Sequence, residues 1–576
     1  MKKHESTPYI KSLLGALLAL ACCASFAQTA AQTPETLEQG NKWNNQARND
    51  FYSQDQGSRL IPLKWIRALK HPGGEPFLAA NLDRYGYLPN PASPSGLPIG
   101  FTTNTAADKT IYLGMTCAAC HTRQIDVAGT SYRIDGGPAI IELQSFQTDL
   151  DAAVNTVLND ATAFDQFAAE VLGGTPTPPD KQKLRDDLTA WFVPFHAITG
   201  SLPAASPWGP ARADCITLIF NRVSGLDIGP PPTYMIPENI KPADVPVRFP
   251  FLWNAWRQDF TQWPGFAPNG NKLFGLSRNT GEVIGVFALF HPFKDSTTHL
   301  GINYSKNNSA NFSGLNKLED LMKKIGPPKW PWALDKALVA RGKQVYKQKD
   351  PANGNQSCES CHGIKWGKFR SLFHTTWATP IVDVGTDSRE VNLLDSQVKT
   401  GVLEGASIFG VVGTPLKPVD SARSVLVLSV AGSILQNYLT LGLKKSEAPS
   451  LRETMQPTPA ASANSARGST APKQFPYESR VMEGIWAAAP YLHNGSVPTL
   501  MELLTPDSQR VANFMIGPAY DINNVGLAVL QTKFNYTLRT TDCSDRNSGN
   551  SRCGHNYGTT FSAADKKALL EYLKSL

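Results

Sequence analysis

The spacing of apolar residues along the chain predicts a small number of separate helices. Apolar side chains recur at helical spacing in residues 146–172 and again in residues 180–195. Residues 335–346 predict another helix, and Gly342 on its apolar face would allow a second helix to cross closely. Ser562 followed by Asp565 is typical of a helix start, and it predicts a C-terminal helix that carries four leucines.

Composition, length and net charge add to this picture. The chain contains 45 glycines and 43 prolines, so we expect much irregular backbone between short helices, giving a mainly α fold with long irregular loops. A length of 576 residues is enough for two or more domains. The net charge of +7 is mild and its charges are spread along the chain, so we expect no nucleic-acid partner.

The first 27 residues have the features of a secretory signal peptide. Three lysines precede an apolar run at residues 13–23, which is too short to span a bilayer comfortably. A small residue, a phenylalanine and an alanine at residues 25–27 offer a cleavage site. A short membrane anchor is the alternative. We expect a periplasmic or secreted protein without stable membrane insertion.

Two stretches of the chain, residues 117–121 and 358–362, read Cys-x-x-Cys-His. This pattern attaches haem c, because two thiols add to the vinyl groups of one porphyrin and the histidine binds its iron. Random placement would give one such match with a probability of about 0.002. A zinc site would need a second pair of ligands nearby, and neither neighbourhood has one. The predicted attachment residues for two haem c groups are Cys117, Cys120 and His121, then Cys358, Cys361 and His362.

The two motifs suggest a division of the chain. Residues 326–334 are rich in proline and glycine and predict a rigid linker. We expect an N-terminal haem domain over residues 28–325 and a C-terminal cytochrome c domain over residues 330–576, hence two cytochrome c-like haem domains. Residues 446–476, rich in proline, alanine and serine, predict a mobile insertion.

Residues 247–293 are rich in aromatic side chains that follow no strict period. Such side chains usually form core, but they could instead line a haem, with a tryptophan between the two porphyrins. Arg278 and Glu282 follow and place a cation and a carboxylate beside this region. An ordinary surface ion pair is the alternative for these two residues.

Two further histidines stand out by their context as candidate haem neighbours. His493 lies in a stretch that reads Pro-Tyr-Leu-His-Asn-Gly, and His555 follows a glycine. Cys543 and Cys553 flank a polar loop of nine residues, and a disulfide between them would hold the loop that presents His555. Cys215 would then remain as an odd buried thiol.

Taken together, these motifs resemble the dihaem c-type cytochromes that include bacterial cytochrome c peroxidases and MauG. The resemblance covers nearly the whole mature chain and is strongest to the rubber oxygenase A branch. It rests on five stretches: Thr-Cys-Ala-Ala-Cys-His at 116–121, Ile-Asp-Gly-Gly-Pro-Ala at 134–139, Arg-Asn-Thr-Gly-Glu-Val at 278–283, Pro-Tyr-Leu-His-Asn-Gly-Ser at 490–496 and Gly-His-Asn-Tyr-Gly at 554–558.

The resemblance implies different roles for the two haems. The haem on His121 would keep one face open for hydrogen peroxide or dioxygen. The haem on His362 would have His555 as its second ligand and would relay electrons. His493 would lie close to a haem without necessarily binding iron. Trp263 or Trp253 would be the tryptophan between the haems.

The function implied is a dihaem oxidoreductase of the peroxidase or dioxygenase type, supplied with electrons by a redox protein. A peroxidase would need a polar group such as Glu282 near the open iron, whereas an oxygenase would need an apolar pocket. One alternative is a non-catalytic electron-transfer cytochrome with both irons six-coordinate. Another is a protein that acts on a protein partner, as MauG does.

Overall fold

A computed structural model describes residues 33–371, 374–408, 413–437 and 474–576. The predicted signal peptide and residues 446–473 of the predicted insertion lie outside these ranges. Within them, no helix is both long and apolar enough to cross a membrane.

The helices are short and spread along the chain. In order they are α1 (Asn45–Ser53), α2 (Leu63–Ala68), α3 (Cys117–Cys120), α4 (Leu143–Asn159), α5 (Ala161–Leu172), α6 (Pro178–Thr199), α7 (Cys215–Phe220), α8 (Lys272–Gly285), α9 (Phe312–Met322), α10 (Lys336–Lys347), α11 (Cys358–His362), α12 (Arg389–Leu393), α13 (Ala422–Gln436), α14 (Leu500–Leu503) and α15 (Ala563–Lys574).

The strands pair into many small sheets. In order they are β1 (Glu35–Thr36), β2 (Ile61–Pro62), β3 (Phe101–Thr105), β4 (Ile111–Met115), β5 (Thr122–Val127), β6 (Thr130–Asp135), β7 (Arg212–Ala213), β8 (Val247–Arg248), β9 (Phe260–Thr261), β10 (Ala267–Pro268), β11 (Phe293–Lys294), β12 (Ile302–Asn303), β13 (Trp366–Ser371), β14 (His374–Trp377), β15 (Ile381–Val382), β16 (Gln397–Lys399), β17 (Val419–Ser421), β18 (Tyr477–Glu478), β19 (Asn513–Met515), β20 (Tyr520–Asp521), β21 (Gly526–Leu527) and β22 (Thr537–Arg539).

The expected fold, mainly α with two cytochrome c-like haem domains, is wrong. The protein is 37% helical and 16% strand, and its strands are distributed over many small sheets. Most of these strands are two or three residues long, so they have no alternating pattern that a sequence could display. The larger sheets are β2-β4-β3 and β1-β6-β5, and α3 connects β4 of the first sheet with β5 of the second.

One buried core combines residues from both halves of the chain. Leu37 and Trp253 belong to it together with Trp486 and Leu569. A second core packs α4, α5 and α6 around Phe146. The division of the chain into domains at residues 325–330 therefore remains a prediction, and the segments before and after it share one buried core.

The predicted close crossing of two helices is confirmed. Helix α10 packs against α15, and a Cβ atom on Gly342 would lie only 2.0 Å from the backbone oxygen of Ala568. Asp335 caps the start of α10, and Ser562 caps α15 by accepting a hydrogen bond from the backbone of Asp565. Local sequence signals therefore specify where each of the two helices begins.

Candidate haem sites

The first Cys-x-x-Cys-His motif forms a short helix between two strands. β4 ends at Met115, α3 carries both cysteines, and β5 begins directly after His121. Both thiols are free, and burial raises their pKa to about 12, with the charge of Glu282 adding to the effect. The helix packs closely on the start of β3, where a Cβ on Gly100 would lie 2.0 Å from the backbone nitrogen of Ala119.

The ring of His121 is fixed by one hydrogen bond. Its Nδ1 lies 2.9 Å from the carbonyl oxygen of Pro250, which can only accept, so Nδ1 carries the proton. Nε2 is then the nitrogen with a lone pair for a metal, the tautomer that metal-binding histidines usually adopt. Burial lowers the pKa of His121 to about 4, which keeps the ring neutral.

The second motif repeats this arrangement. Ser357 caps α11, which carries Cys358, Cys361 and His362. Nδ1 of His362 donates to the carbonyl oxygen of Arg480 over 2.7 Å, and burial lowers the pKa of the imidazole. Both attachment histidines are therefore neutral and oriented by a backbone carbonyl.

His555 lies opposite His362, with the two ring centres 6.2 Å apart. An imidazole nitrogen binds a first-row metal ion at about 2.0–2.1 Å, and the ring centre lies about 1.1 Å further away, so two histidines on opposite sides of one ion hold their ring centres about 6.3 Å apart. The observed distance therefore matches two imidazoles that share one metal ion.

The loop that presents His555 is held at several points. The predicted disulfide between Cys543 and Cys553 is present. Gly554 has a positive φ, and a Cβ there would lie 2.3 Å from the backbone of Gly385. His555 itself has a φ of 51°, an uncommon conformation for a residue other than glycine, and its backbone nitrogen donates to Val384. Arg510 donates to the carbonyl of His555 over 3.3 Å.

A cavity surrounds the second motif and has the chemistry that a porphyrin requires. Its wall includes the second motif's cysteines and histidine together with His555, and apolar side chains such as Leu500 and Leu573. Arg480 and Tyr477 also line it, and each has buried polar atoms without a hydrogen-bond partner. Such donors suit the carboxylates of a haem. The residues present therefore fit a covalently attached haem.

The described surroundings of the first motif are different. The ring of His121 meets Phe249 edge-on, with ring centres 6.2 Å apart. Among the side chains that the structure describes, no second imidazole pairs with His121 in the way that His555 pairs with His362. The two motifs thus share their attachment geometry and differ in what lies opposite the histidine.

Arg278 is largely buried, with 10% of its side chain exposed, whereas 37% of the Glu282 side chain is exposed, so the two do not form the simple surface pair of the alternative interpretation. Arg278 is bound mainly by Glu319, with a 2.5 Å contact, whereas its Nε lies 3.9 Å from Glu282. Asn269 accepts a second hydrogen bond from Arg278 over 2.7 Å. Glu319 is 41 residues away in sequence, so no local signal could have found it.

Glu282 lines a second cavity, between α8 and α13. The other walls include Phe266, Phe274 and Leu426. Gln262 donates to Glu282 over 2.8 Å, and burial raises the pKa of this carboxyl above its usual range. Because Glu282 affects the pKa of both thiols of the first motif, it belongs to the surroundings of that motif.

Trp263 and His493 both line the cavity of the second motif. The indole nitrogen of Trp263 donates to the carbonyl of Arg248, whose guanidinium lies 4.6 Å from the ring centre. His493 stacks on Tyr477 with ring centres 3.7 Å apart, and burial lowers its pKa to about 3. Trp253 lies elsewhere in the core, stacked on Phe251.

A short chain of contacts joins the two attachment histidines, and the sequence did not reveal it. His121 is bonded to Pro250, and the next residue, Phe251, lies under the guanidinium of Arg480 at 4.0 Å. The carbonyl of Arg480 in turn holds His362. Pro250, which orients His121, is thus the sequence neighbour of the residue that packs against Arg480, and Arg480 orients His362.

Comparison with known proteins supports the cytochrome interpretation for part of the chain. Residues 476–515 match the family described as "RoxA-like, cytochrome c-like". This segment is cytochrome c-like. It contains His493 and the stretch at 490–496, in agreement with the rubber oxygenase A branch, and this supports haem as the cofactor. Both attachment motifs lie outside the matched range.

Two similar proteins come from Sinorhizobium fredii (strain NBRC 101917 / NGR234). The chain is 27% identical to "Uncharacterized protein y4iJ" over 94% of its own length and 93% of that protein. It is 24% identical to "Uncharacterized protein y4iM" over half of each chain. The similarity to the first of these extends over nearly the whole length of both proteins.

Proposed function

We propose that the chain is a c-type cytochrome with two haem centres that works as an oxidoreductase. Hydrogen peroxide or dioxygen would react at the centre of His121, and electrons would pass through the centre of His362 and His555. One observation carries the proposal: a second imidazole faces His362 at 6.2 Å, and none of the described side chains does so for His121. Such asymmetry leaves one centre free to bind a small oxidant.

Haem c, held by the cysteines and histidine of each motif, would supply reversible one-electron chemistry at both centres. The protein's own part is to fix the tautomer and orientation of both histidines through the carbonyls of Pro250 and Arg480, while burial lowers their pKa and keeps the rings neutral. Glu282, whose pKa is raised by burial and which accepts a hydrogen bond from Gln262, is the proposed acid that would pass a proton to an oxidant oxygen.

Electrons have a packed route between the two centres. The contact of Phe251 with Arg480 connects the backbone carbonyls that hold the two histidines. Trp263 lines the second cavity and remains the better candidate for the inter-haem tryptophan, because Trp253 is not part of that wall. The proposed direction is from a redox-protein donor to the second centre and then to the first.

We also infer that the protein is exported. The disulfide between Cys543 and Cys553 supports an oxidising compartment, where covalent haem attachment also takes place in bacteria. The charged and apolar pattern of residues 1–27 supports the same conclusion.

Visible and EPR spectra of the oxidised protein, produced with both haems, test the proposal. We expect one high-spin and one low-spin haem, with the low-spin signal lost in His555→Ala. His196→Ala is the matched control, because His196 is exposed and bonded to Asp151 away from both cavities. Two low-spin haems that persist after reduction would contradict the catalytic role and favour the electron-transfer cytochrome.

Activity assays then separate the two oxidants. Turnover of hydrogen peroxide with a reduced cytochrome c as donor would identify a peroxidase. Consumption of dioxygen with an unsaturated hydrocarbon would identify an oxygenase. Failure in both assays, with a high-spin haem present, would rule out both of these activities.

A further inference from the structure

Three large apolar side chains are exposed within six residues of the chain, directly after the second attachment motif. Ile364 exposes 53% of its surface, Trp366 79% and Phe369 67%. Single exposed apolar residues are common, but a group of this size at one place usually marks an interaction site. We call these three residues the 364–369 patch.

The patch lies on the hairpin of β13 and β14. Trp366 pairs with Trp377 and Phe369 pairs with Thr375, so β13 has one extra residue between its two aromatic positions. This bulge lets side chains three residues apart face the same side of the hairpin. Trp366 and Phe369 are therefore the part of the patch on the hairpin, and Ile364 precedes β13, between Trp366 and His362 in sequence.

The patch continues from the haem attachment site. Ile364 is two residues from His362, and the Nζ of Lys365 donates to the carbonyl of Ser360, inside α11. Cys358 and Cys361 lie in the same short helix and line the cavity of the second motif. A protein that covers the patch would thus contact the segment that holds the second centre.

The stretch of sequence that contains the patch is rich in positive charge. Residues 343–371 contain six lysines and arginines and two acidic residues, and a further carboxylate, Asp259, is buried against β13 and accepts a hydrogen bond from the backbone nitrogen of Lys368. Of the acidic residues, Asp350 is buried, and Glu359 is paired with Lys347 at 3.3 Å. Lys365 and Lys368 are exposed beside the aromatic side chains. A surface with an apolar centre and a basic rim is complementary to an acidic partner.

We propose that the 364–369 patch is the docking surface for an acidic redox protein that reduces the second centre. This inference rests on the proposed electron-relay role of that centre. In the step, the reduced partner loses one electron and the second centre gains it, and no bond forms or breaks. The apolar centre would exclude water where the redox groups approach, and the basic rim would steer the partner.

Stopped-flow reduction of the purified protein with both haems tests the proposal. The reductants are an acidic cytochrome c, a basic cytochrome c and ascorbate. We expect the acidic cytochrome to react fastest, with a rate constant that falls as salt increases. Trp366→Ser with Phe369→Ser should lower that rate constant about tenfold or more and leave the reduction by ascorbate unchanged.

The matched control is Val529→Ser with Leu530→Ser, because these side chains are 86% and 80% exposed and line neither cavity. This control should react like the unchanged protein. The low-spin spectrum of each variant shows that the second centre is intact.

Equal rate constants for the patch variant and the control would overturn the proposal. It would also be overturned if the unchanged protein were a dimer and the patch variant were a monomer, because a second copy of the chain would then cover the patch. Absence of a low-spin haem from the unchanged protein is a different result, and it would contradict the proposed function itself.

Discussion

Gly342→Ala should destabilise the protein, although alanine is the better helix former. In α10 the substitution would place a Cβ 2.0 Å from the backbone oxygen of Ala568 in α15, whereas ordinary contact begins at 3.4 Å. The two helices would have to separate by about 1.4 Å, which is the difference between those distances. The obstacle is backbone, so no side chain can rotate away to relieve it.

The size of the effect follows from two opposing contributions. Overpacking typically costs about 1–3 kcal/mol. Replacing a helical glycine by alanine returns about 0.5–1 kcal/mol. We therefore expect a net loss of about 1–2 kcal/mol in the free energy of unfolding. Tyr346 and Leu569 lie on these two helices and line the cavity of the second motif, so the haem absorption there should report the change.

Urea unfolding, followed by haem absorption and by circular dichroism, measures this difference. Gly281→Ala is the matched control, because a Cβ there would have its nearest atoms at 3.7 Å, in Leu426 and Val430. We expect Gly281→Ala to keep or slightly raise the stability. A Gly342→Ala protein as stable as that control would refute the argument that the helix crossing requires glycine.

Three further predictions concern single groups. Burial raises the pKa of Glu282, so activity that needs its proton should decline as pH rises through that pKa. Glu282→Gln should lower peroxide turnover about 100-fold, and its pH–rate profile should no longer show this decline. Burial raises the pKa of Asp227 to about 8, so the folded state loses stability as pH rises from about 4 to about 8. Asp227→Asn should remove this loss. The difference in Tm between this variant and the unchanged protein should therefore grow between pH 5 and pH 8. Replacing both Cys543 and Cys553 by serine opens a short loop and should cost about 2–3 kcal/mol, seen as loss of the low-spin spectrum at lower urea concentration.

Sequence reasoning succeeded where the signal was local. The cap at Ser562, the glycine at the helix crossing and the pairing of Cys543 with Cys553 all depend on residues close in sequence or on simple chemistry. It failed for the strands, because a two-residue strand such as β15 is defined by its partner and not by its own pattern.

The candidate sites show the same limit. The attachment motifs could be read directly, because the spacing of their cysteines is set by one porphyrin. Glu319 and Arg480 could not be found, since their roles depend on contacts with Arg278 and Phe251 that the fold alone creates. An isolated acidic or basic residue in a sequence carries no sign of its distant partner.

The contact between Phe251 and Arg480 has a consequence for the proposed enzyme. The carbonyl beside Phe251 orients His121, and the carbonyl of Arg480 orients His362, so a shift at this contact acts on both histidines together. A substitution at Arg480 should therefore alter the reduction potentials of both haems, whereas the loss of His555 should alter mainly one. The two proposed centres would then be coupled through this contact, and they would differ in His555 beside His362 and in Glu282 near the first motif.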